Sequence, residues 1–557
     1  MLSRLLIKWD AIVERSLSSA ALRGYATAVQ QKQETQGTFT TNNWENARPY
    51  SELPGPSKYE MLRGILPGAS QLFNQTILVR FFPIQILKPI PKCVFHKKTF
   101  IEIIRTMTHI YGDIYRFPSV FGRPEMVMNF NPNDYPIIFR NEGIWPERRT
   151  FGTLYYHRKV HRKDFFQDVE GLLTTRGEEW GKIRTAVNPV LMQPKNARLY
   201  LNTLLEVNDE FLERIRHIRD PLTLEVPDDF IDDINRLTLE GVVSIALNTR
   251  LGMIHKNRDS PESKTLLKEI RNFFALSEEI ELKLSIWKII KTPTFHKLMK
   301  TLDTLIVLCN KYIDEALKRI DSDSEGKFTS EVGKEKSVLE KLLKIDRKIA
   351  VVMAMDMMMA GVDTTSSTLT GILFCIAKNP EKQQKLFEEL KSILPNKDSR
   401  LTIENMTNLP YLRACIKEGM RYHPIIIGTN RQLPNEVVLS GYRIPAGIDI
   451  SVASNLLLRN EKFVEEPNKY IPERWLRNDN EGKKYQLNNP FLFLPFGFGP
   501  RSCVGKRIVD LELEVTLARL VRNFMIEFNY STENAFTQKL IFLPAIPLKF
   551  RFAERKE

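Results

Sequence analysis

The chain has little cysteine. Only five stand in 557 residues, at 93, 309, 375, 415 and 503, and no two lie closer than 40 positions. That excludes CxxC redox and zinc-knuckle motifs and a secreted disulfide scaffold, so any essential cysteine acts singly and reduced. No apolar run reaches the ~18 residues of a spanning helix. The apolar stretch 76–91 is broken by Arg80, Pro83, Lys88, Pro89 and Pro91. No six-residue block of one charge sign occurs, so the net charge of +14, from 81 Lys+Arg against 67 Asp+Glu, is dispersed. Such a surface suits an acidic protein partner or an anionic membrane, not a nucleic-acid tail. Internal repeats, a phosphate loop and a dinucleotide fingerprint are also missing; the last would need glycine where Ser502 stands. What is present is 43% hydrophobic and 27% charged residues, enough for a large folded core.

Residues 1–25 place Leu5, Leu6, Trp9, Ile12 and Val13 at helical spacing among Arg4, Lys8, Arg15 and Arg23. An amphipathic, Arg- and Ser-containing start of this kind resembles a mitochondrial presequence, although Asp10 and Glu14 are atypical of one. Arg23-Gly24-Tyr25 looks like a matrix-peptidase cleavage site. Residues 26–50 read as a polar linker, and Pro54-Gly55-Pro56 as the turn opening a folded region over 51–557. Periodicity predicts helices at 228–248, 296–320, 348–378, 380–393 and 411–422, and from Gly505 to about 525. Short β pieces are expected at 125–130 and 436–450. The lysine-rich stretch 282–300, with Trp287, fits either an anionic membrane surface or a helix–loop–helix with solvated lysines. His157 and His161 lack the glutamate of a zinc helix and sit in HRKVHRK, which reads as a flexible basic loop.

The most specific stretch is Phe496-Gly-Phe-Gly-Pro-Arg-Ser-Cys503-Val-Gly505. A glycine-rich turn brings bare N–H groups to one sulfur, and the helix that follows points its positive end there. Both favour a thiolate, which can serve as an axial iron ligand. Here the chain resembles the cytochrome P-450 haem-thiolate monooxygenases, whose loop FxxGxRxCxG is matched by Phe496, Gly499, Arg501, Cys503 and Gly505. The resemblance implies haem b with its iron held by Cys503, Phe496 packed near the ligand, and a mainly α fold with small β-sheets.

Further elements stand in the family's order. Glu418 and Arg421 form an ExxR pair, and Pro472-Glu473-Arg474-Trp475 follows, with Trp where Phe is commoner. The resemblance implies a buried Glu418–Arg421–Arg474 network. Trp180 and Arg184 form WxxxR, which the family places against the haem propionates; Arg431 and Arg501 are further propionate candidates. Ala360-Gly-Val-Asp363-Thr364-Thr365 matches the oxygen-activating helix. That chemistry is expected to need a local helix break, with Gly361 permitting close approach, Thr364 bonding to the backbone or dioxygen and Asp363 relaying protons. Met353, Met355, Met357, Met358 and Met359 fill core or line an adaptable pocket.

With no flavin or nicotinamide motif, electrons must come from a partner. Arg413, Lys417, Lys506 and Arg507 look like the basic residues with which the mitochondrial class docks an acidic ferredoxin, itself reduced by an NADPH-dependent reductase. Stretches 171–200 and 228–247 look like the insect mitochondrial branch associated with xenobiotics. The expected reaction inserts one atom of O2 into a lipophilic substrate, on the matrix side of the inner membrane with peripheral membrane contact and no nucleic-acid partner. An ecdysteroid or steroid hydroxylase is the alternative within the class. Outside it stand a haem-thiolate isomerase and a non-catalytic haem sensor, both opposed by Asp363-Thr364.

Overall fold

The computed structural model describes residues 44–58, 99–119, 123–149, 151–255, 261–281, 286–324, 335–476 and 482–556. The presequence, most of the linker and the 76–91 stretch lie outside these residues. Two compact units are present. In the smaller, Arg48 forms a parallel bridge with Tyr442, its N–H donates to the Gly441 carbonyl (2.9 Å), and its guanidinium lies 3.9 Å from the Tyr442 ring centroid. Residues 44–50, read from composition as linker, are thus tied into structure by backbone hydrogen bonds that composition does not reveal.

The larger unit, residues 53–437 and 445–557, is dominated by helices. The predicted helices appear at Ile231–Leu247, Pro293–Ser324, Arg347–Lys378, Pro380–Ile393, Pro410–Tyr422 and Lys506–Asn523. A mixed sheet orders its strands Ile114–Phe117, Met126–Asn129, Asp449–Val452, Thr429–Gln432. Its middle pairing is parallel and its outer two antiparallel. Pro54, in the predicted opening turn, accepts from the Arg116 N–H on the first of these strands.

The Arg347–Lys378 helix runs through the core. Asp346 caps it by accepting from the Ile349 N–H at 2.7 Å, and the Thr, Ser and Ala content of its second half allows close neighbours. It is the one described helix long and apolar enough to cross a membrane, yet it is mostly buried inside the fold. The Ile231–Leu247 helix crosses it where a Cβ on Gly361 would meet Val242 Cγ2 at 2.9 Å. Gly361 therefore serves helix packing. The expected break is not seen: the helix stays α through 360–365, and the Thr364 hydroxyl donates to the Ala360 carbonyl at 2.7 Å, occupying it without displacing the turn.

The HRKVHRK segment is a correction of a different kind. Residues His157–His161 form a π-helical turn in which His157 and Arg158 are buried. Arg158 donates to Asp356 (2.5 Å) on the core helix and to the Glu170 carbonyl. His157 and His161 both meet Asp303, at 3.0 and 3.3 Å. Sequence showed the cations; their carboxylate partners lie about 140 to 200 positions away, so charge density was mistaken for solvation.

Candidate active site

Cys503 stands between a glycine turn and a helix. Its N–H donates to the Phe496 carbonyl (2.8 Å) and that of Ser502 to Gly499 (3.0 Å), while Gly497 and Gly499 both take φ +71°. This left-handed conformation is one other residues resist. Gly505 caps the following helix, and its N–H reaches the cysteine sulfur. Of the four described cysteines, Cys309, Cys375 and Cys415 are buried and Cys503 alone is exposed. The thiol's pKa is nevertheless pushed up by its enclosure, a desolvation that outweighs the Gly505 N–H and the charges of Arg184 and Arg148. The Gly505 N–H and the two guanidinium charges act in the opposite sense and favour the thiolate.

The guanidinium groups of Arg148 and Arg184 act on this sulfur, and those of Arg431 and Arg501 stand near them. Burial lowers the pKa of Arg148 to about 10 and of Arg501 to about 9, with their arginine neighbours adding repulsion. Arg184 is lowered the same way. Arg501 donates to the Pro146 (2.8 Å) and Thr175 (3.2 Å) carbonyls and stacks 3.8 Å from the centre of the buried Trp180 ring. Arg431, predicted as a propionate partner, has other partners here: Glu142, Thr429 Oγ1, and the Asn430 and Phe498 carbonyls. Arg148, missed by sequence reasoning, lies in a Pro-Glu-Arg-Arg run that resembles no motif used there. Nε of Arg148 and of Arg184 is buried without a hydrogen-bond partner, and neither residue is paired to a carboxylate. Two neighbouring cations lacking carboxylates fit a ligand carrying two.

On the core helix, Met357, Ala360, Gly361 and Thr364 are the only residues between 352 and 377 that are not buried. Their i, i+3, i+4, i+7 spacing makes one open strip. Asp363 points away from it. It is 2% exposed, its Oδ2 has no partner, and burial lifts its pKa to about 6, with Arg271 pulling it down and Asp232 up.

Below the loop, Glu418 accepts five hydrogen bonds. They come from Arg421 Nε (3.0 Å) and Nη2 (2.9 Å), Arg474 Nε (3.0 Å), the Ile471 N–H (3.0 Å) and Trp475 Nε1 (2.8 Å). The three charged side chains are 0% exposed. Remaining guanidinium donors reach the Leu458, Pro467, Lys469 and Tyr485 carbonyls. Trp475, which departs from the family's usual Phe, supplies a donor Phe lacks.

The matching family model is cytochrome P450, over residues 83–552. The chain belongs to the cytochrome P450 family. It is 48% identical over 535 residues to cytochrome P450 CYP12A2 of Musca domestica, covering 94% of this chain and 95% of that one. Two Drosophila melanogaster proteins, probable cytochrome P450 12e1, mitochondrial, and probable cytochrome P450 12a5, mitochondrial, are 48% and 46% identical. The alignments cover 93% and 92% of this chain, and 95% and 92% of theirs. This P450 is therefore a monooxygenase of the mitochondrial CYP12 type, and its family binds haem through a cysteine thiolate.

The predicted docking cations line one groove of about 410 Å³ with Arg198, over an apolar floor that includes Ile416, Phe493 and Leu511. Arg413 is held by Glu514 (2.9 Å), and Lys506 by Asp510 (2.8 Å). Lys417 lies 5.9 Å from the Trp475 ring centroid.

Glu512 sits on the helix behind the loop, 3% exposed, with neither carboxyl oxygen hydrogen-bonded. Burial alone lifts its pKa to about 8. An unfolded chain releases that proton near pH ~4.3, so between the two values the folded state binds one proton more. Stability should fall as pH rises through this window, by about 1.4 kcal/mol per unit, and level off above it. Glu512→Gln should flatten that slope in denaturant titrations from pH 5 to 8; an unchanged slope would show that the group does not hold its proton.

Proposed function

We propose that this P450 inserts one oxygen atom into lipophilic xenobiotics, with Cys503 as the iron ligand and electrons supplied by a mitochondrial ferredoxin and its NADPH-dependent reductase. The observation that carries the assignment of the site is Cys503, the one exposed residue among the described cysteines, beside Arg148 and Arg184, whose buried Nε atoms have no hydrogen-bond partner. The bound haem supplies a redox-active iron at which O2 is activated. Arg148 and Arg184 would hold its two propionates, Arg501 and Trp180 would brace that side, and Phe496 would pack near the Cys503 ligand. Thr364 offers its hydroxyl Oγ1 on the open strip. Asp363, one residue away, has its pKa lifted by burial to about 6, so its carboxyl takes up and releases a proton close to neutral pH, and together the two residues move protons from the interior side of the helix to that strip.

Thr364→Ala should therefore lower product formed per NADPH at least about tenfold and raise peroxide release. Unaltered coupling would remove the residue from proton delivery. For the electron partner, the basic groove suits an acidic protein. Of its cations, Arg413 is paired with Glu514 and Lys506 with Asp510 within the chain. Peripheral contact with an anionic lipid surface is supported by Ile286, Ile289 and Ile290, exposed by 39, 70 and 64% beside Lys288 and Lys291. Trp287, grouped with them from sequence, is buried 5.3 Å from the Phe295 ring. Replacing Ile289 and Ile290 with serine should reduce co-flotation with cardiolipin vesicles; equal flotation would remove the contact.

The deciding experiment is turnover of the 26–557 protein with ferredoxin and reductase, on a panel of xenobiotics and ecdysteroid precursors read by mass spectrometry. Several slowly oxidised xenobiotics support the proposal. One efficiently hydroxylated steroid overturns it in favour of a hormone-pathway enzyme, and turnover without ferredoxin overturns the electron route.

A further inference from the structure

The π-helical turn His157–His161 is fastened on two sides by polar side chains. On one side, His157 and His161 meet Asp303 on the Pro293–Ser324 helix. On the other, the guanidinium of Arg158 forks. Its Nη2 donates to Asp356 Oδ1 on the core helix and its Nη1 to the Glu170 carbonyl, both at 2.5 Å. Arg158 is 1% exposed and Asp356 5%, so the pair is desolvated as well as close. The chain makes room for it at Gly171, φ +83°, where a Cβ would collide with Asp356 Oδ2 and Arg158 Nη1 alike. Asp356 and Ala360 are i,i+4, so the carboxylate borders the open strip of Met357, Ala360, Gly361 and Thr364. At ~1.5 Å per residue it lies about 12 Å along the axis before Thr364. Val160, in the same turn, is 57% exposed. The turn therefore reaches from the edge of the strip to solvent, and single π turns recur beside functional sites.

We propose that Arg158 and Asp356 are positioning residues for the substrate: their pair holds the turn as an outer wall over the near end of the strip, and so sets how long a bulky lipophilic ligand is retained there. The inference rests on the strip facing the substrate. Apolar contact could keep the turn near the core helix, but it has no direction. A guanidinium bonded at once to a helix carboxylate and a loop carbonyl fixes both distance and angle. A ligand too short to span from Thr364 to Asp356 does not touch this wall, so the effect belongs to large ligands.

Azole release from the holoenzyme tests this, followed by the Soret band of the nitrogen-ligated haem, with imidazole as the small ligand and clotrimazole as the bulky one. Asp356→Asn and Arg158→Met should each speed clotrimazole release about tenfold and leave imidazole release within about twofold of the parent. Each also strands a buried charge, so both should lose denaturant stability. The double variant Arg158→Met/Asp356→Leu strands neither charge. It should recover stability yet keep the fast clotrimazole release, because the fork is absent. Release that recovers together with stability would overturn the proposal and leave the pair a purely structural one. An equal change for both azoles would overturn it too. Should the single variants fail to bind haem, Arg158→Lys keeps the charge without the fork. Clotrimazole release several-fold faster in that variant supports the wall, and parental release overturns it. Ala360→Phe checks the strip separately: it should weaken clotrimazole binding at least about tenfold, and parental affinity for both azoles would show that the strip does not face the ligand, whatever happens at 158 and 356.

Discussion

Cys503→Ala should abolish the red-shifted Soret band of the reduced carbonyl complex. The band would require a thiolate ligand to the iron, and the other described cysteines, Cys309, Cys375 and Cys415, are buried where Cys503 is exposed. Alanine keeps the turn, because Gly497 and Gly499 set its backbone and the 503 N–H still reaches the Phe496 carbonyl. The variant should therefore fold with the parental far-ultraviolet circular dichroism and lose only the ligand. Cys503→Ser should retain some haem while losing the band. A variant without sulfur at 503 that keeps the band would sink the assignment.

Glu418→Gln should cost on the order of 3–5 kcal/mol, enough to prevent most chains from reaching the holoenzyme. Among the described residues the carboxylate is the one ion-pair partner of two buried guanidinium groups, and each of its oxygens accepts from more than one donor. A neutral amide turns one acceptor into a donor that faces other donors. Trp475→Phe should be much milder, about 1 kcal/mol, because it removes one neutral donor and leaves both ion pairs intact. Denaturant midpoints and haem content of the two variants give the comparison. Equal losses would mean that packing of the indole, which lies 4.5 Å from the Phe493 ring, matters as much as the charge network.

Sequence alone determined the long helices and the turn that carries Cys503. Hydrophobic periodicity is local, so Arg347–Lys378 and Lys506–Asn523 were legible to within a few residues. The cysteine loop was legible because its conformation depends on residues close in sequence: two left-handed glycines, one backbone hydrogen bond and a helix start. The same holds for the i,i+3 pair Glu418–Arg421.

Tertiary structure decided where each charge goes. An arginine's role depends on which carboxylate the fold brings to it, and those partners are remote: Glu142 for Arg431, Asp356 for Arg158, Glu514 for Arg413. The segment 157–161 was read as a flexible basic loop, and the carboxylates beside Arg431 and Arg413 went unseen, since a cation's sequence neighbourhood shows its sign but not its partner. Arg148 was passed over for the same reason. Burial acted in the same non-local way: it raises the Cys503 thiol that the turn would lower, and it lifts Asp363 and Glu512 into the range where they exchange protons near neutral pH. Desolvation and charge pairing are sums over everything that surrounds a group, and in this chain those surroundings are assembled from segments tens to hundreds of residues apart.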